Sequence, residues 1–429
     1  MNNQLHVFVN RDRVGVLERL HRTGEPESYR FTYRPGVPEN HMVALTLPVR
    51  EKPYFYHRLP PVFDQNLPEG NRRRLLNGLA KTRRMDDFGL LEVVGRWQVG
   101  RVRLSSDENL EETAPRFDLS ALDREGFNYF WSIFNSSGAT EGVSGMQAKL
   151  LRKCEVSKSD TISPHLAICV PGGEYVIKGF DPNEWDRDAE NEHFCLLINR
   201  RAGIVTPETT LAAEGDLLFS KRFDISASGN YLGFDEACTL LKRRADEKYE
   251  GSIEDLIVLI NEYVAQEHIG SDRETLFKAI VLDHLLRNSD AHLKNFGFLY
   301  TRRGDVRLSP IYDVTCTSVH LRMMLGIPEL AMNGKQIWMR ERSEFSDIGR
   351  TVFGLSSRRV KTLLDECCTA VAETLPDIEE RVREQPKFEE IGRGMCKIFE
   401  SSLSKISEPA VQGFSETDEP VQQTLSPGD

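Results

Sequence analysis

The stretch Arg287-Asn-Ser-Asp-Ala-His-Leu-Lys-Asn-Phe-Gly-Phe-Leu-Tyr300 is the most informative part of the chain. It follows a segment of helical periodicity and precedes an apolar, strand-like segment, so its polar residues are expected on a loop. Asp290 and Asn295 are five positions apart, and Asp313 follows 18 residues after Asn295. One Asp can deprotonate an attacking hydroxyl, while Asn295 and Asp313 can hold Mg²⁺ on nucleotide phosphates. The pattern favours a phosphoryl-transfer site, although Asn-Ser-Asp is also ordinary turn chemistry and this spacing is common.

A lysine upstream supports the phosphoryl-transfer interpretation. Lys178 lies in a predicted strand at residues 175–180, where alternation puts it on the same face as Val176. A lysine on an apolar face is costly unless it meets a partner, and a nucleotide phosphate is one such partner. A carboxylate from the next helix, Glu190 or Glu192, could orient the ammonium. The alternative is an edge-strand lysine whose ammonium reaches solvent.

A glycine-containing loop is predicted before that strand, at Glu141-Gly-Val-Ser-Gly-Met-Gln-Ala-Lys149. Backbone N–H groups in such a loop can cradle phosphate oxygens. Ser144, Gly145, Gln147 and Lys149 are therefore candidate nucleotide-binding residues. The loop lacks the G-x₄-G-K-[S/T] pattern of a P-loop, and a simple hairpin turn is the alternative.

The order of these parts along the chain is that of a protein kinase: loop, strand lysine, helix glutamate, D-x₄-N and a later Asp. The catalytic region carries neither an H-R-D nor a D-F-G string. The sequence therefore predicts a protein-kinase-like fold with altered motifs.

The distribution of strand and helix patterns predicts two lobes and an α+β class. Strand-like segments dominate up to about residue 225, and helical periodicity dominates beyond it. We expect a strand-rich N-terminal subdomain, a kinase-like N-lobe and an all-helical C-terminal lobe. The predicted boundaries are 1–104 for the N-terminal subdomain, 105–118 for a linker, 119–225 for the N-lobe with the glycine loop and the lysine, 226–405 for the C-lobe with the catalytic and metal-binding loops, and 406–429 for a disordered acidic tail.

Local sequence patterns also predict individual strands and helices. Alternation predicts a strand at residues 42–49, and a helix is expected at residues 69–81. Helical periodicity predicts two helices at residues 356–374 and 376–384.

The composition limits the classes of protein to which the chain can belong. Its 429 residues exceed one ordinary core and predict about two or three domains. A formal net charge of −11 argues against a protein that coats nucleic acid by bulk charge. The apolar runs are too short for a membrane span, and the first residues do not resemble a signal peptide. Eight cysteines without a C-x-x-C pair favour reduced thiols over a zinc site, so we expect a cytoplasmic location.

A family resemblance runs through nearly the whole chain, from residue 5 to about residue 385. The segments that carry it are Leu59-Pro-Pro-Val-Phe-Asp64, Leu67-Pro-Glu-Gly70, Gly145-Met-Gln-Ala-Lys149, Asn191-Glu-His-Phe194, Ala202-Gly-Ile204, Pro207, Lys221-Arg-Phe-Asp224, Lys248-Tyr-Glu250, Asn288-Ser-Asp-Ala-His-Leu-Lys-Asn295, Tyr312-Asp-Val314 and Asn333-Gly-Lys335. In these segments the chain resembles the HipA family, the serine/threonine kinase toxins of bacterial toxin–antitoxin modules.

The resemblance implies roles for the residues of the catalytic region. Asp290 would be the catalytic base toward a substrate hydroxyl. Asn295 and Asp313 would hold Mg²⁺, and Lys178 would contact the phosphates of ATP. His292 would also lie near the phosphates.

The resemblance also implies roles for residues outside the catalytic loop. The segment Lys221-Arg-Phe223 would be the hinge that offers backbone hydrogen bonds to adenine. Many family members carry Glu where Lys221 stands, which matters little if the contact is made by the backbone. Glu192 matches the Asn-Glu of the family pattern and would be the carboxylate that orients the lysine.

The glycine loop departs from the family at one position. The family commonly has a Ser three residues before the Gly of G-x-Q-x-K, and its autophosphorylation switches the kinase off. Gly142 stands there in this chain. The departure puts self-inactivation in doubt. Ser144 is the candidate substitute, and phosphopeptide mapping after incubation with ATP would reject it if only other sites were labelled.

The resemblance implies a kinase toxin of a type II toxin–antitoxin system. It would transfer the γ-phosphate of Mg-ATP to a protein Ser or Thr and so inhibit translation and growth, with glutamyl-tRNA synthetase the first target to test. Its partner would be a small helix-turn-helix antitoxin resembling HipB, and DNA would be reached indirectly through that partner. Arginines and lysines between Arg72 and Arg84 form a basic cluster, for which a solvated helix face is the favoured interpretation and a contact with nucleic acid is the alternative. The first alternative to a protein kinase is a nucleotide-binding pseudokinase that acts as a scaffold or co-repressor. The second alternative is a small-molecule kinase.

Overall fold

The computed structural model describes most of the chain in a set of separate ranges. These are residues 3–21, 26–69, 73, 86–96, 98–110, 148–155, 168–171, 174–180, 185–212, 214–320, 328–332 and 334–407, with the backbone alone described for 148–155 and 168–171. The predicted linker at 105–118, helix at 69–81 and tail at 406–429 fall largely outside these ranges.

The described strands form three sheets, all with antiparallel pairing. In chain order the strands are β1 (Gln4–Val9), β2 (Asp12–Leu20), β3 (Ser28–Tyr33), β4 (Tyr54–Tyr56), β5 (Val102–Ser105), β6 (Ala148–Glu155), β7 (Ile168–Pro171), β8 (Tyr175–Gly179), β9 (Thr209–Leu211), β10 (Leu217–Lys221), β11 (Gly233–Glu236), β12 (Gly297–Tyr300) and β13 (Arg307–Leu308). The described α-helices are α1 (Pro61–Asp64), α2 (Asp87–Val94), α3 (Asp188–Arg201), α4 (Ala237–Leu240), α5 (Ile253–Tyr263), α6 (Ile269–Leu286), α7 (Arg342–Thr351), α8 (Ser357–Glu384) and α9 (Glu389–Ser407).

The first sheet, in the order β4-β3-β2-β1-β5, packs against α1 and α2. Alternation explains β3, because Tyr29, Phe31 and Tyr33 are buried while the residues between them are half-buried. Phe31 and Phe63 of α1 meet edge to face with ring centroids 5.7 Å apart. This sheet has its own hydrophobic core.

The second sheet, in the order β7-β6-β8-β10-β9, carries the predicted ATP lysine on β8. Lys178 of β8 lies opposite Leu218 of β10 and Lys149 of β6 in the strand register. Helix α3 follows the sheet and contacts β9 and β10. This places the predicted lysine and the predicted helix glutamate on neighbouring elements.

The C-terminal part is helical, with α8 contacting α3, α6, α7 and α9 around one large hydrophobic core. It also contains the small sheet β11-β12-β13, which the expected all-helical lobe did not include. Apolar β12 directly follows the catalytic loop and needs a partner strand for its backbone groups, and β11 and β13 supply it. The strand-rich and helical regions together confirm the predicted α+β class.

Residues 42–49 do not form the predicted strand. The chain turns there, with an isolated bridge between Ala44 and Leu47. The hydroxyl of Tyr33 accepts from the backbone N–H of Val43 at 2.7 Å and donates to the carbonyl of Leu47 at 2.5 Å. A buried side chain thus satisfies the backbone groups that a neighbouring strand would otherwise pair.

The helices predicted at residues 356–374 and 376–384 are one helix, α8, which runs from Ser357 to Glu384 with Pro376 inside it. Proline cannot donate to the carbonyl four residues earlier, so carbonyl groups in the preceding turn need other donors. Arg201 of α3 donates to the carbonyl of Glu373 at 2.8 Å and to the hydroxyl of Thr374 at 2.9 Å. The carbonyl left without its helical donor is that of Ala372, and Arg201 contacts the two residues after it, which fixes the turn before the proline to α3.

Two sequence expectations concern cysteines and membranes. The six cysteines whose side chains are described are free thiols, and four of them are buried. Within the described ranges, no helix combines the length and the apolar character that crossing a bilayer requires.

Candidate active site

The predicted catalytic loop begins where α6 ends, at Arg287 in the left-handed conformation with φ of 57°. Asn288 makes two hydrogen bonds to Asp283 of α6. Its backbone N–H donates to the Asp283 carbonyl at 2.9 Å, and its side-chain amide donates to the Asp283 carboxylate at 2.8 Å. Ser289 is held from the other side by the hydroxyl of Thr317. These buried contacts hold the start of the loop at the end of a long core helix.

The structure brings the three predicted catalytic-region residues together. The amide nitrogen of Asn295 donates to the carbonyl of Asp290 at 3.0 Å and lies 3.5 Å from the carbonyl of Asp313. Because its nitrogen is engaged with the backbone, the amide oxygen is the atom of Asn295 suited to a metal. Asp313 has φ of 60°, a left-handed conformation that Asp tolerates better than most residues.

Lys178 joins the second sheet to both sides of the site. Its Nζ lies 2.5 Å from Oε1 of Glu192 on α3 and 2.5 Å from Oδ1 of Asp313. The lysine side chain is 7% exposed and that of Glu192 is 1% exposed. Burial alone would lower the pKa of Lys178, but the carboxylates of Asp313 and Glu192 outweigh it and raise that pKa. The lysine therefore remains charged at physiological pH.

His292 is buried in the catalytic loop, and its Nδ1 has no hydrogen-bond partner among the described residues. Burial, aided by the nearby Lys248 ammonium, lowers the pKa of His292 to about 3. Its imidazole packs against the ring of Tyr249 with centroids 5.3 Å apart. A neutral imidazole with an unpartnered buried nitrogen fits a site that receives a polar ligand.

The predicted hinge lies at the end of β10. The backbone N–H groups of Lys221 and Arg222 are donated to the carbonyls of Glu208 and Glu174, at 2.8 and 2.7 Å. A backbone contact to adenine would therefore use other groups of this segment. The Lys221 ammonium instead pairs with Glu208 at the exposed surface, 3.2 Å away.

Three aromatic rings lie beside the hinge. Phe223 is 5.4 Å from Tyr312 and 5.7 Å from Phe234, measured between ring centroids. The sequence predictions named Phe223 only for its backbone and missed the other two rings. The position of Tyr312 directly before Asp313 could have suggested it, whereas Phe234 on β11 has no local signal.

These residues line one cavity of about 270 Å³. The predicted site residues around it are Lys178, Glu192, Lys221, Phe223, Asp290, His292, Asn295 and Asp313. The predicted loop residues Ser144, Gly145 and Gln147 lie outside the described residues, and Lys149 is described by its backbone alone. Glu69, Lys248, Tyr249 and Lys294 also line the cavity and were not predicted.

The oxygen ligands present could hold Mg²⁺ only in part. Among the residues described, no three His, Cys, Asp or Glu side chains are grouped closely enough to hold a metal ion. Asn295 and Asp313 offer two hard oxygen ligands, and Mg²⁺ commonly takes the rest of its octahedral shell from phosphates and water. The residues therefore fit a metal that arrives with a nucleotide.

Comparisons with known proteins bear on the whole chain. The family model described as the HipA N-terminal domain matches residues 5–105, and the HipA-like C-terminal domain matches residues 142–375. A relative from Sinorhizobium fredii, named "Putative kinase Y4mE", is 25% identical over 78% of this chain and 83% of its own length. A relative from Haemophilus influenzae, also named as a kinase, is 27% identical over 44% of this chain and 57% of its own length.

A solved structure shares the fold. A chain in the HipA, HipB and operator DNA complex of the Shewanella oneidensis MR-1 toxin–antitoxin system superposes with a TM-score of 0.71 at 12% sequence identity. The match covers 93% of this chain and 96% of that chain. The comparison confirms the predicted fold class.

Proposed function

The chain belongs to the HipA family, and from this premise we propose that it is an ATP-dependent kinase of protein Ser or Thr side chains. It would act in the cytoplasm as the toxin of a type II toxin–antitoxin module and inhibit translation and growth by phosphorylating its target. The relatives named as kinases support phosphoryl transfer.

The observation that carries the proposal is the double ion pair of Lys178. One ammonium contacts the α3 carboxylate of Glu192 and the Asp313 carboxylate, each at 2.5 Å. In kinases the lysine–glutamate pair and the metal-binding Asp must both be in place for transfer. Here the same contacts join the N-lobe sheet, a helix and the loop beyond the catalytic Asp.

The residues divide the chemistry among them. Asp290 would accept the proton of the substrate hydroxyl as the oxygen attacks the γ-phosphorus of ATP. Lys178 would hold phosphate oxygens, and neutral His292 would donate a hydrogen bond from an imidazole N–H. Asn295 and Asp313 would hold Mg²⁺, which supplies charge neutralisation on the phosphates.

The aromatic group would receive the adenine. Phe223, Phe234 and Tyr312 lie beside the hinge in the same cavity as the lysine. A flat apolar base can pack on such rings while hinge backbone groups hydrogen-bond its edge.

Asp313→Ala should weaken Mg-ATP binding, because the variant lacks one of the two proposed metal ligands. Unchanged affinity in a calorimetric titration with Mg²⁺ would count against the metal site.

The proposed partner is a small helix-turn-helix antitoxin resembling HipB. The solved Shewanella structure holds HipA together with HipB and operator DNA. The formal charge of −11 argues that this chain reaches DNA through such a partner. A pseudokinase scaffold would use the same partner, but the complete set of Lys178, Asp290, Asn295 and Asp313 favours an enzyme.

The target is tested with purified components. We propose glutamyl-tRNA synthetase as the first substrate, incubated with the protein and Mg-ATP and analysed by mass spectrometry. Phosphoserine or phosphothreonine on the synthetase would support the proposal. Mg-ATP binding without phosphate on the synthetase or on any lysate protein would favour the scaffold. The same spectra would report whether Ser144 is autophosphorylated.

A further inference from the structure

Residues 63–69, which include the end of α1 and the segment after it, lie between the first sheet and the C-terminal part. Phe63 and Leu67 are fully buried in the core of the first sheet. Polar side chains of the same residues contact the C-terminal part. The carboxylate of Asp64 accepts from the backbone N–H of Ala245 at 2.7 Å, and the amide of Gln65 donates to the carbonyl of Phe234 at 3.0 Å. The segment is therefore fixed to both bodies at once.

Glu69, at the end of this segment, contacts two lysines of the C-terminal part. Its Oε1 lies 2.6 Å from Nζ of Lys294, and its Oε2 lies 3.2 Å from Nζ of Lys248. The side chains of Lys294 and Lys248 are only 2% and 7% exposed. Lys294 also donates to the carbonyl of Gln65 at 3.1 Å.

Both lysines are part of the frame around the catalytic loop. Lys294 lies between His292 and Asn295, and its carbonyl accepts from the hydroxyl of Tyr312 at 2.7 Å. The carbonyl of Lys248 accepts from the backbone N–H of Leu293 at 3.1 Å. The next residue, Tyr249, places its hydroxyl 3.5 Å from Oδ1 of Asp290.

Charge explains why a carboxylate is needed at this point. Two buried ammonium groups repel each other, and each loses hydration that only a charged partner can replace. Burial alone would raise the pKa of Glu69, but the ammonium groups of Lys294 and Lys248 outweigh it and hold that pKa at about 2. Glu236, 3.8 Å from Lys294, also compensates that ammonium, but Glu69 is closer to Lys294 and contacts Lys248 as well.

We propose that Glu69 is a positioning residue, which holds the catalytic loop through Lys294 and Lys248. A residue of the N-terminal region would in this way complete the active site. This inference rests on the proposed kinase function for its effect on activity. The contact itself can be tested without activity.

The test compares Glu69→Gln with the matched control Glu18→Gln in the full-length protein. Glu18 lies in β2 of the first sheet, against which the segment of Glu69 packs. Its side chain is 25% exposed against 19% for Glu69, and it pairs with Arg30 of the neighbouring strand. Two quantities are measured: steady-state phosphoryl transfer from ATP, and hydrogen exchange of the backbone amides at residues 289–296.

We expect Glu69→Gln to lower kcat on the order of 10- to 100-fold, because small misplacement of catalytic groups is costly. KM for ATP should change far less, and exchange of the loop amides should rise. Glu69→Asp, which keeps the charge but shortens the reach, should recover part of the rate. Glu18→Gln should leave kcat and loop exchange at wild-type values.

Each outcome decides the inference. Wild-type kcat and wild-type loop exchange in Glu69→Gln would overturn it, as would a loss of folding stability with both quantities unchanged. If Glu69→Gln does not fold, kcat and loop exchange are compared between Glu69→Asp and Glu18→Asp. Wild-type values of both quantities in Glu69→Asp would then overturn the inference. If the wild-type protein transfers no phosphate, the kinase proposal fails, and the exchange measurement still supports or overturns the positioning role.

Discussion

Lys178 is the residue at which the second sheet, α3 and the segment after β13 meet. Its ion pair with Glu192 is buried and its pair with Asp313 is partly buried, so their energetic role differs from that of surface pairs. Removing one member of a buried pair leaves the opposite charge without its compensation. The same residue therefore affects both nucleotide binding and folding.

We predict that Lys178→Met lowers the free energy of unfolding by about 3 to 5 kcal/mol and abolishes detectable phosphoryl transfer. The reason is that Glu192, with a side chain 1% exposed, keeps a buried negative charge without the ammonium. Urea unfolding and an ATP transfer assay measure the two effects. Lys387→Met is the control for stability, because Lys387 and Glu214 pair in solvent and should contribute less than about 1 kcal/mol.

Part of the site was predictable residue by residue. Strand alternation put Lys178 on an apolar face and pointed to a carboxylate on the next helix, and the structure places Glu192 there. The contact between Lys178 and Asp313 spans 135 residues and depends on how two lobes pack. Glu69 was missed for the same reason, since its partners lie far along the chain.

Among the elements, α8 contains a proline in its interior and contacts Arg201 of α3 at the turn before that proline. Its Pro376 would ordinarily end or kink the helix. Arg201 of α3 supplies donors to the carbonyl and side chain of the turn before the proline, and it also pairs with Asp377 beyond it. The sequence pattern correctly located the helical residues but could not show this outside donor.

We predict that Arg201→Ala destabilises the protein by about 1 to 2 kcal/mol, because the buried Thr374 hydroxyl and the carbonyl of Glu373 lose a donor. Thermal unfolding measures the change. Arg393→Ala removes an exposed pair with Glu389 within one helix and should change stability by about 0.5 kcal/mol or less. Equal effects of the two substitutions would show that Arg201 does not support the interrupted helix.

On the scale of the whole molecule, buried polar contacts join the N-terminal region to the segment after β10 and to β11. The carboxylate of Asp224 accepts from the backbone N–H of Gly100 at 2.6 Å and pairs with Arg222. The carboxylate of Asp235 accepts from the backbone N–H of Leu45 at 2.8 Å. These contacts cross between regions that the sequence could only treat as separate domains.

We predict that Asp224→Ala lowers the free energy of unfolding by about 3 kcal/mol or more, because it removes the carboxylate that compensates the buried charge of Arg222. It should also speed proteolytic cleavage between the first sheet and the rest of the chain. Asp246→Ala is the control, since Asp246 is 70% exposed and pairs with Arg244 at the surface. Unchanged stability and cleavage in Asp224→Ala would show that the contact does not join the two regions.

The overall architecture was more predictable than its connections. The change from strand to helix patterns near residue 225 and the order of the kinase parts indicated the fold class, which the structure and the comparisons confirm. The small sheet beside the catalytic loop and the polar contacts between regions depend on tertiary packing, which periodicity in one sequence does not encode.

We propose that Asp290 is the base of a phosphoryl-transfer site. The most direct measurement incubates γ-labelled ATP, Mg²⁺ and a cell lysate with wild-type protein or with Asp290→Ala of equal unfolding midpoint. We predict a labelled protein band with the wild type that is roughly 100- to 10,000-fold weaker with the variant. Equal labelling by the two proteins, or no labelled band with the wild type, would contradict the account.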